Sequence, residues 1–359
     1  MTDLQQLYLE LLGHESDSVR EEAVKHLLDM LDAEVVEALL QNVEEPGHPG
    51  LIESIWLLGK SEETRVSEAL LRLFQNPDPQ IREVVAGAFA EIGDVRALQA
   101  LIEALQDESP NVKDAAAIAL GELRDSRAVE PLIAQLADPA AQQVAAWALA
   151  MIGDRRAVEP LVDAMHNSED PNMRGMAARA LGKLGLPEAD RVVLDGLADQ
   201  EEGVLIEVIR VLGERRCLTA LPHLEKLFES SEMPRVKLAC AVALARCEQG
   251  ETYLPFLLGT LNSDPDWGAR LSAIMGLREL PYELVESDLR KALDDTHWLV
   301  QKTAARSLLM LQDEELYMSL GNFLGDEDED IMQAVIETSF FELLEEDGLE
   351  GLLDGDEEE

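Results

Sequence analysis

Three five-residue segments recur along the chain: Asp94-Val95-Arg96-Ala97-Leu98, Asp125-Ser126-Arg127-Ala128-Val129 and Asp154-Arg155-Arg156-Ala157-Val158, their aspartates 31 and 29 residues apart. A period of that length marks a repeat architecture, in which one copy cannot bury its apolar faces alone and must stack on its neighbours. Behind each motif runs an apolar stretch: Leu101 to Leu105, Pro131 to Leu136, Pro160 to Met165. A polar turn follows, such as Asp107-Glu108-Ser109-Pro110 or Ser168-Glu169-Asp170-Pro171. A second stretch then reads Val112-Lys113 through Ala119-Leu120-Gly121, or Met173-Arg174 through Ala180-Leu181-Gly182. No segment shows sustained alternation of apolar and polar residues with strand composition, so each period is expected to be a pair of helices.

The cadence continues with drift on both sides. Asn76-Pro77-Asp78-Pro79-Gln80-Ile81-Arg82 reads as a turn and second-helix start, and Asp17-Ser18-Val19-Arg20 as a worn copy of it. Pro222 and Pro255 and the turns at Pro234 and Pro265 keep the spacing. His297-Trp298-Leu299-Val300 and Asp326-Glu327-Asp328 would open the last two second helices. The 359 residues therefore predict about eleven helix pairs in an all-α solenoid. Composition agrees, with 47% hydrophobic but only 4% aromatic residues, a mix suited to helices in close contact. Runs such as Ala115-Ala116-Ala117 would let helices approach closely. Gly93, Gly153 and Gly185 sit where a helix must stop and the backbone may turn left-handed. Pro131, Pro160, Pro222 and Pro255 are expected near the start of first helices, where a missing amide hydrogen costs little. Residues 1–344 read as one array, clearest over 76–311, and 345–359 as an acidic, disordered tail.

Asp-x-Arg-Ala-Val-Glu-Pro-Leu followed by a Val-Arg/Lys helix ending Ala-Leu-Gly resembles the HEAT-repeat superfamily, in its phycobilisome-lyase-type branch. The resemblance implies a right-handed α-α superhelix whose second helices line the concave side. It does not imply one activity, because the superfamily holds mostly protein-binding scaffolds beside a few enzymes.

Charge narrows the partners. With 73 acidic against 29 basic residues the formal net charge is −44, which repels free nucleic acid. No run approaches the roughly 18 apolar residues a membrane-spanning helix needs. The amino-terminal residues lack the basic start and apolar run of a signal peptide, so a cytoplasmic location is expected. Cys217, Cys240 and Cys247 form neither a disulfide framework nor a zinc pattern. Cys240 and Cys247 read as small buried core thiols.

Function in such arrays is expected on the concave face. Aligning the second helices on their Ala-x-Ala-Leu stretch gives an outward column of Gly87, Ile118, Trp147, Arg179, Ile209, Val242, Met275 and Arg306. One turn later come Glu91, Glu122, Met151, Lys183, Arg246 and Arg278 or Glu279; one turn earlier, Glu83, Asp114, Gln143, Gly175 and Lys302. Three zones result. Acids come first; Gln143, Trp147 and Met151 follow; Arg179, Lys183, Arg246, Arg278, Lys302 and Arg306 form a cationic strip. Seventeen of the 29 basic residues fall between Arg174 and Arg306. Trp147 could anchor a partner, whereas Trp56, Trp267 and Trp298 are assigned to packing. Lys113, Arg174, Lys237 and Arg270, near helix starts, are expected to pair with turn aspartates such as Asp78 or Asp170. Residues 307–359 hold 19 acids and no base. They could instead mimic an acidic partner and fold back onto the strip, in which case deleting 345–359 would strengthen binding of that partner.

Catalytic patterns are missing. No P-loop, G-x-S-x-G or H-E-x-x-H occurs, and no cofactor or metal is expected. The iron enzymes of the superfamily, deoxyhypusine hydroxylases, use several His-Glu pairs; here only His14-Glu15 occurs. The expected function is a non-enzymatic scaffold or adaptor that binds another protein in the concave groove through Ile118, Gln143, Trp147, Met151, Arg179, Lys183, Arg246, Met275, Arg278, Lys302 and Arg306. Two alternatives stand beside it. The resemblance allows a bilin (phycobilin) lyase or lyase-like chaperone subunit, and the outer acidity allows a binder of basic proteins.

Overall fold

In a computed structural model, residues 1–311 are described, except Pro46 and Glu62. Among the described residues there are twenty α-helices and no strand. They divide into two compact units, 1–196 and the unit beginning at Leu197. The eleventh helix pair, the start at 326–328 and the acidic tail of 345–359 lie outside the described residues.

The first unit holds α1 (Asp3–Leu11) and α2 (Asp17–Asp29), α3 (Ala33–Glu44) and α4 (Leu51–Lys60), and α5 (Ser67–Leu73) and α6 (Pro79–Ile92). It continues with α7 (Leu98–Ala104) and α8 (Pro110–Leu123), α9 (Val129–Gln135) and α10 (Gln142–Ile152), α11 (Val158–Asn167) and α12 (Pro171–Leu184), and α13 (Pro187–Asp195). Each first helix packs on its second helix, and the second helices α4, α6, α8, α10 and α12 pack on one another in sequence. The second unit contains α14 (Glu202–Glu214), α15 (Leu221–Ser230) and α16 (Pro234–Leu244), α17 (Gly250–Ser263) and α18 (Trp267–Leu277), and α19 (Tyr282–Ala292) and α20 (Trp298–Met310). Here too the second helices α14, α16, α18 and α20 pack in succession.

The repeat motif has a local cause. The carboxylates of Asp94, Asp125 and Asp154 accept hydrogen bonds from the amides of Arg96, Arg127 and Arg156 at 2.9–3.0 Å, capping a short 3-10 turn before the next first helix. The same carboxylates hold the guanidinium two residues on. The second helices end in left-handed residues: Gly93, Gly153 and Gly185 at φ of 65°, 76° and 71°, as expected from sequence. Arg124 and Arg216 occupy the same register at φ of 50° and 48°.

Small residues set the spacing between second helices. A Cβ built on Gly121 would lie 3.0 Å from Ala148 Cα, and one on Gly213 would lie 2.7 Å from Ala243 Cα. Only glycine permits that approach.

A second device fixes neighbouring repeats. Arg82 donates two hydrogen bonds of 2.7 Å to Asp107. Lys113 meets Asp138 at 3.0 Å, and Arg270 donates to Asp295 at 2.7 and 2.8 Å. Each cation thus reaches the turn aspartate of the following repeat, 25 residues on. Lys113 and Arg270 pair with turn aspartates as expected, but with those of the following repeat; the Asp78 carboxylate instead caps its own helix through the Gln80 amide. Of the other two helix-start cations, Arg174 donates to the Ser168 carbonyl at 3.1 Å. The Lys237 ammonium lies 6.0 Å from the Phe228 ring.

One joint departs from the pattern. Between α16 and α17 the chain continues helically through a π-helical turn, Ala245–Gln249. Pro255 consequently lies inside α17 and not at a helix start.

Candidate protein-interaction surface

Each unit presents the outward face of its second helices, and the two faces differ in chemistry. In the first unit Trp56 on α4 is 40% exposed and Ile118 on α8 is 42% exposed. Gly87 on α6 is exposed, and a Cβ there would meet nothing within 4 Å. Trp147 on α10 is half-buried because its ring leans back onto α8: Cζ3 lies 2.8 Å from the Cβ position of Gly121. Gln143, Met151 and Arg179 are half-buried and Lys183 is exposed, so every first-unit residue expected to bind a partner has an accessible part. Gly175, assigned to the same face, is buried.

Acids flank this row. Glu91 and Glu122 are exposed, Glu83 and Asp114 half-buried. Lys60 pairs with Glu91 at 2.8 Å, and its ammonium sits 5.5 Å from the Trp56 ring. Oδ1 of Asp114 is buried with no hydrogen-bond donor. Burial pushes the Asp114 carboxyl above its ordinary range, Asp138 and Glu83 push the same way, and Lys113 opposes them. On α12, partial desolvation and then neighbouring Arg124 lower the pKa of Lys183, against Glu122.

The second unit carries cations. Arg246 stands on the π turn, Arg278 and Glu279 directly follow α18, and Lys302 and Arg306 lie on α20. All four basic residues and Met275 are half-buried. Glu279 makes its short contact with Arg216, at 3.0 Å, and Glu214 makes its own with Arg210, at 2.5 Å. Arg246 is left 3.6 Å from Glu214 and 3.9 Å from Glu279, and Arg278 3.9 Å from Glu279. Burial lowers the Arg278 pKa first, and Arg246 and Arg306 lower it further. The register on α14 is shifted by one from the expected column: Ile209 is fully buried and Arg210 takes the outward place. That helix lacks the alanine run used for alignment.

Two tryptophans expected to pack are instead exposed: Trp56 is 40% exposed and Trp298 54%. The Trp298 ring lies under the Lys302 ammonium at 5.9 Å. The signal for Trp56 was present: Trp56, Gly87 and Ile118 are each 31 residues apart. Trp267 stacks on His297 at 4.2 Å. Cys217, Cys240 and Cys247 are all buried, and burial pushes the Cys240 thiol up to about 12. Among the described residues no group of three or more His, Cys, Asp or Glu side chains could hold a metal, and no helix is long and apolar enough to cross a membrane.

Stacked helix pairs with short cross-repeat bonds define an α-solenoid repeat protein. The sequence pattern of HEAT repeats matches residues 66–144, 129–205 and 191–278, more than half of the chain, which therefore belongs to the HEAT-repeat family. Among solved structures, importin beta is similar at 16% identity and a TM-score of 0.52, covering 89% of this chain and 56% of its own; the chain thus spans little more than half of importin beta. YibA of E. coli is similar at 17% identity and a TM-score of 0.50, covering 69% of this chain and 93% of its own. The phycocyanin lyase complex of CpcE and CpcF from Nostoc sp. shares 20% identity over 70% of this chain and 95% of the other, with a TM-score of 0.39. No curated protein matches the chain.

Proposed function

We propose that this protein is a non-enzymatic scaffold or adaptor that binds another protein on the outward faces of its second helices. The observation that carries the reading is Ile118, a large apolar side chain left 42% exposed on α8 beside the half-buried Trp147. Such a pair loses water contact when a partner's apolar side chain covers it, which is how interface anchors act. In the first unit an apolar partner residue would meet Ile118, Trp147 and Met151, with Gln143, Arg179 and Lys183 alongside. In the second, acidic partner residues would meet Arg246, Arg278, Lys302 and Arg306 near Met275.

Affinity capture from the source cell tests this with the full chain and with Ile118→Glu, Trp147→Ala and Arg179→Glu. Folded variants should lose partners that the parent retains. Recovery of the same partners by all three would refute the proposed face. An open-chain tetrapyrrole added to the protein should leave its visible spectrum unchanged; a shift would favour lyase-type chemistry instead.

A further inference from the structure

We infer that Arg246 and Arg278 in the second unit form a seat for an oxyanion with two paired oxygens, a carboxylate or a phosphoryl group. It takes its partner from the scaffold reading, but its chemistry rests on separate observations. The Arg246 and Arg278 side chains are only 12% and 24% exposed. Among the described residues neither guanidinium makes a hydrogen bond; their carboxylate contacts are the ion pairs at 3.6–3.9 Å. A guanidinium carries five N–H donors, and among the described residues none of them meets a protein acceptor at hydrogen-bond distance.

The nearby acids do not fill that need, because their short contacts are spent on other cations. Glu214 serves Arg210, and Glu279 serves Arg216. Arg216 is held at a left-handed φ of 48° while it does so. Arg246 and Arg278 thus share Glu214 and Glu279 with Arg210 and Arg216, which hold the short contacts. Among the described residues the buried side-chain polar atom without a partner is Asp114 Oδ1, so the nitrogen atoms of Arg246 and Arg278, which make no hydrogen bond, keep solvent contact. A fork of donors with buried stems and reachable tips suits a bidentate oxyanion. Arg246 also sits on the π turn, a distortion that re-aims side chains and recurs at functional sites.

Titration calorimetry on the full chain tests the seat with two probes, an oligoglutamate peptide and inorganic phosphate. At least one should bind, with affinity falling as salt rises. Binding of the peptide alone assigns the seat to protein carboxylates, and binding of phosphate alone to a small phosphorylated ligand. Arg246→Gln and Arg278→Gln should each weaken the bound probe about tenfold, whereas Arg127→Gln in the first unit should not. The thermal midpoint of Arg278→Gln gives a second readout. Removing a cation that lacks an acceptor should leave the midpoint unchanged or raise it, while a purely structural bridge would lower it. Failure of both probes to bind, parent-like affinity in the glutamine variants, or a clear fall in the Arg278→Gln midpoint would overturn the inference. The scaffold reading is tested separately, through Ile118 and Trp147 in the capture experiment.

Discussion

The Trp147 ring lies on Gly121, with Cζ3 only 2.8 Å from where a Cβ would stand. One glycine therefore sets both the approach of α8 to α10 and the tilt of one of the two tryptophans on the first unit's face. Gly121→Ala should destabilise the protein by about 1–3 kcal/mol, the usual cost of overpacking. Gly87→Ala, on the same face but in open space, should be neutral or stabilising by up to about 1 kcal/mol. Urea unfolding of the two variants checks the contrast.

The cross-repeat pairs should differ in worth by their burial. Arg270 and Asp295 are each 11% exposed and doubly bonded, so Arg270→Leu leaves a mostly buried carboxylate and should cost about 2–4 kcal/mol. Lys113 and Asp138 are more open, at 23% and 35%, and Lys113→Leu should cost about 1 kcal/mol or less. Arg270 holds the Asp295 carboxyl below its ordinary range. Its contribution is therefore complete above that range and lost as pH falls, and the Arg270→Leu deficit should shrink in acid. Denaturation at a series of pH values reads this directly.

Two aspartates should show opposite pH signatures. The Arg96 guanidinium holds Asp94 down at about 2, with Ser67 and the Arg96 amide adding to it against burial. The stabilisation from Asp94 is present above its unfolded value of 3.8 and disappears as pH falls toward 2, so Asp94→Asn should lose stability at neutral pH and match the parent in strong acid. Asp114 is pushed up by burial, so its charge opposes folding once pH exceeds the unfolded value. Asp114→Asn should raise the thermal midpoint at neutral pH, with the gain vanishing in acid. Midpoints measured across the acid range check both, and a gain for Asp94→Asn or a loss for Asp114→Asn at neutral pH would refute the assignment.

Left-handed arginines offer a further comparison. A non-glycine residue in that region costs on the order of 1 kcal/mol. Arg124→Gly should recover most of this, since glycine fills the same register at 93, 153 and 185. Arg216→Gly should recover less, because it also removes the 3.0 Å contact with Glu279. Parallel thermal melts decide whether the first variant outranks the second.

Much of the fold could be read from the chain because the stacking rules act locally. The Asp-x-Arg-Ala spacing located the capped turns, and the glycines at 93, 153 and 185 located helix ends. The merger of α16 into α17 was hidden, since a proline normally marks a helix start and Pro255 instead follows a π turn. Regular spacing assigns Ile118 and Trp147 to second helices, and they lie on α8 and α10. It failed at Ile209, where the alanine run is replaced by large aliphatics and the register moves by one. Which cation an acid prefers depends on distances between repeats. For that reason the division of Glu214 and Glu279 among four arginines could not be read from spacing.

Arg82 reaches Asp107 and Arg270 reaches Asp295 across one and the same offset. A bond whose ends are separated by a constant stretch of chain is indifferent to how many copies precede or follow it. Duplicating or excising a complete period would carry donor and acceptor along together, whereas a single-residue insertion within the stretch would part them. The length of such an array is thus free to vary by whole modules and is guarded against anything smaller.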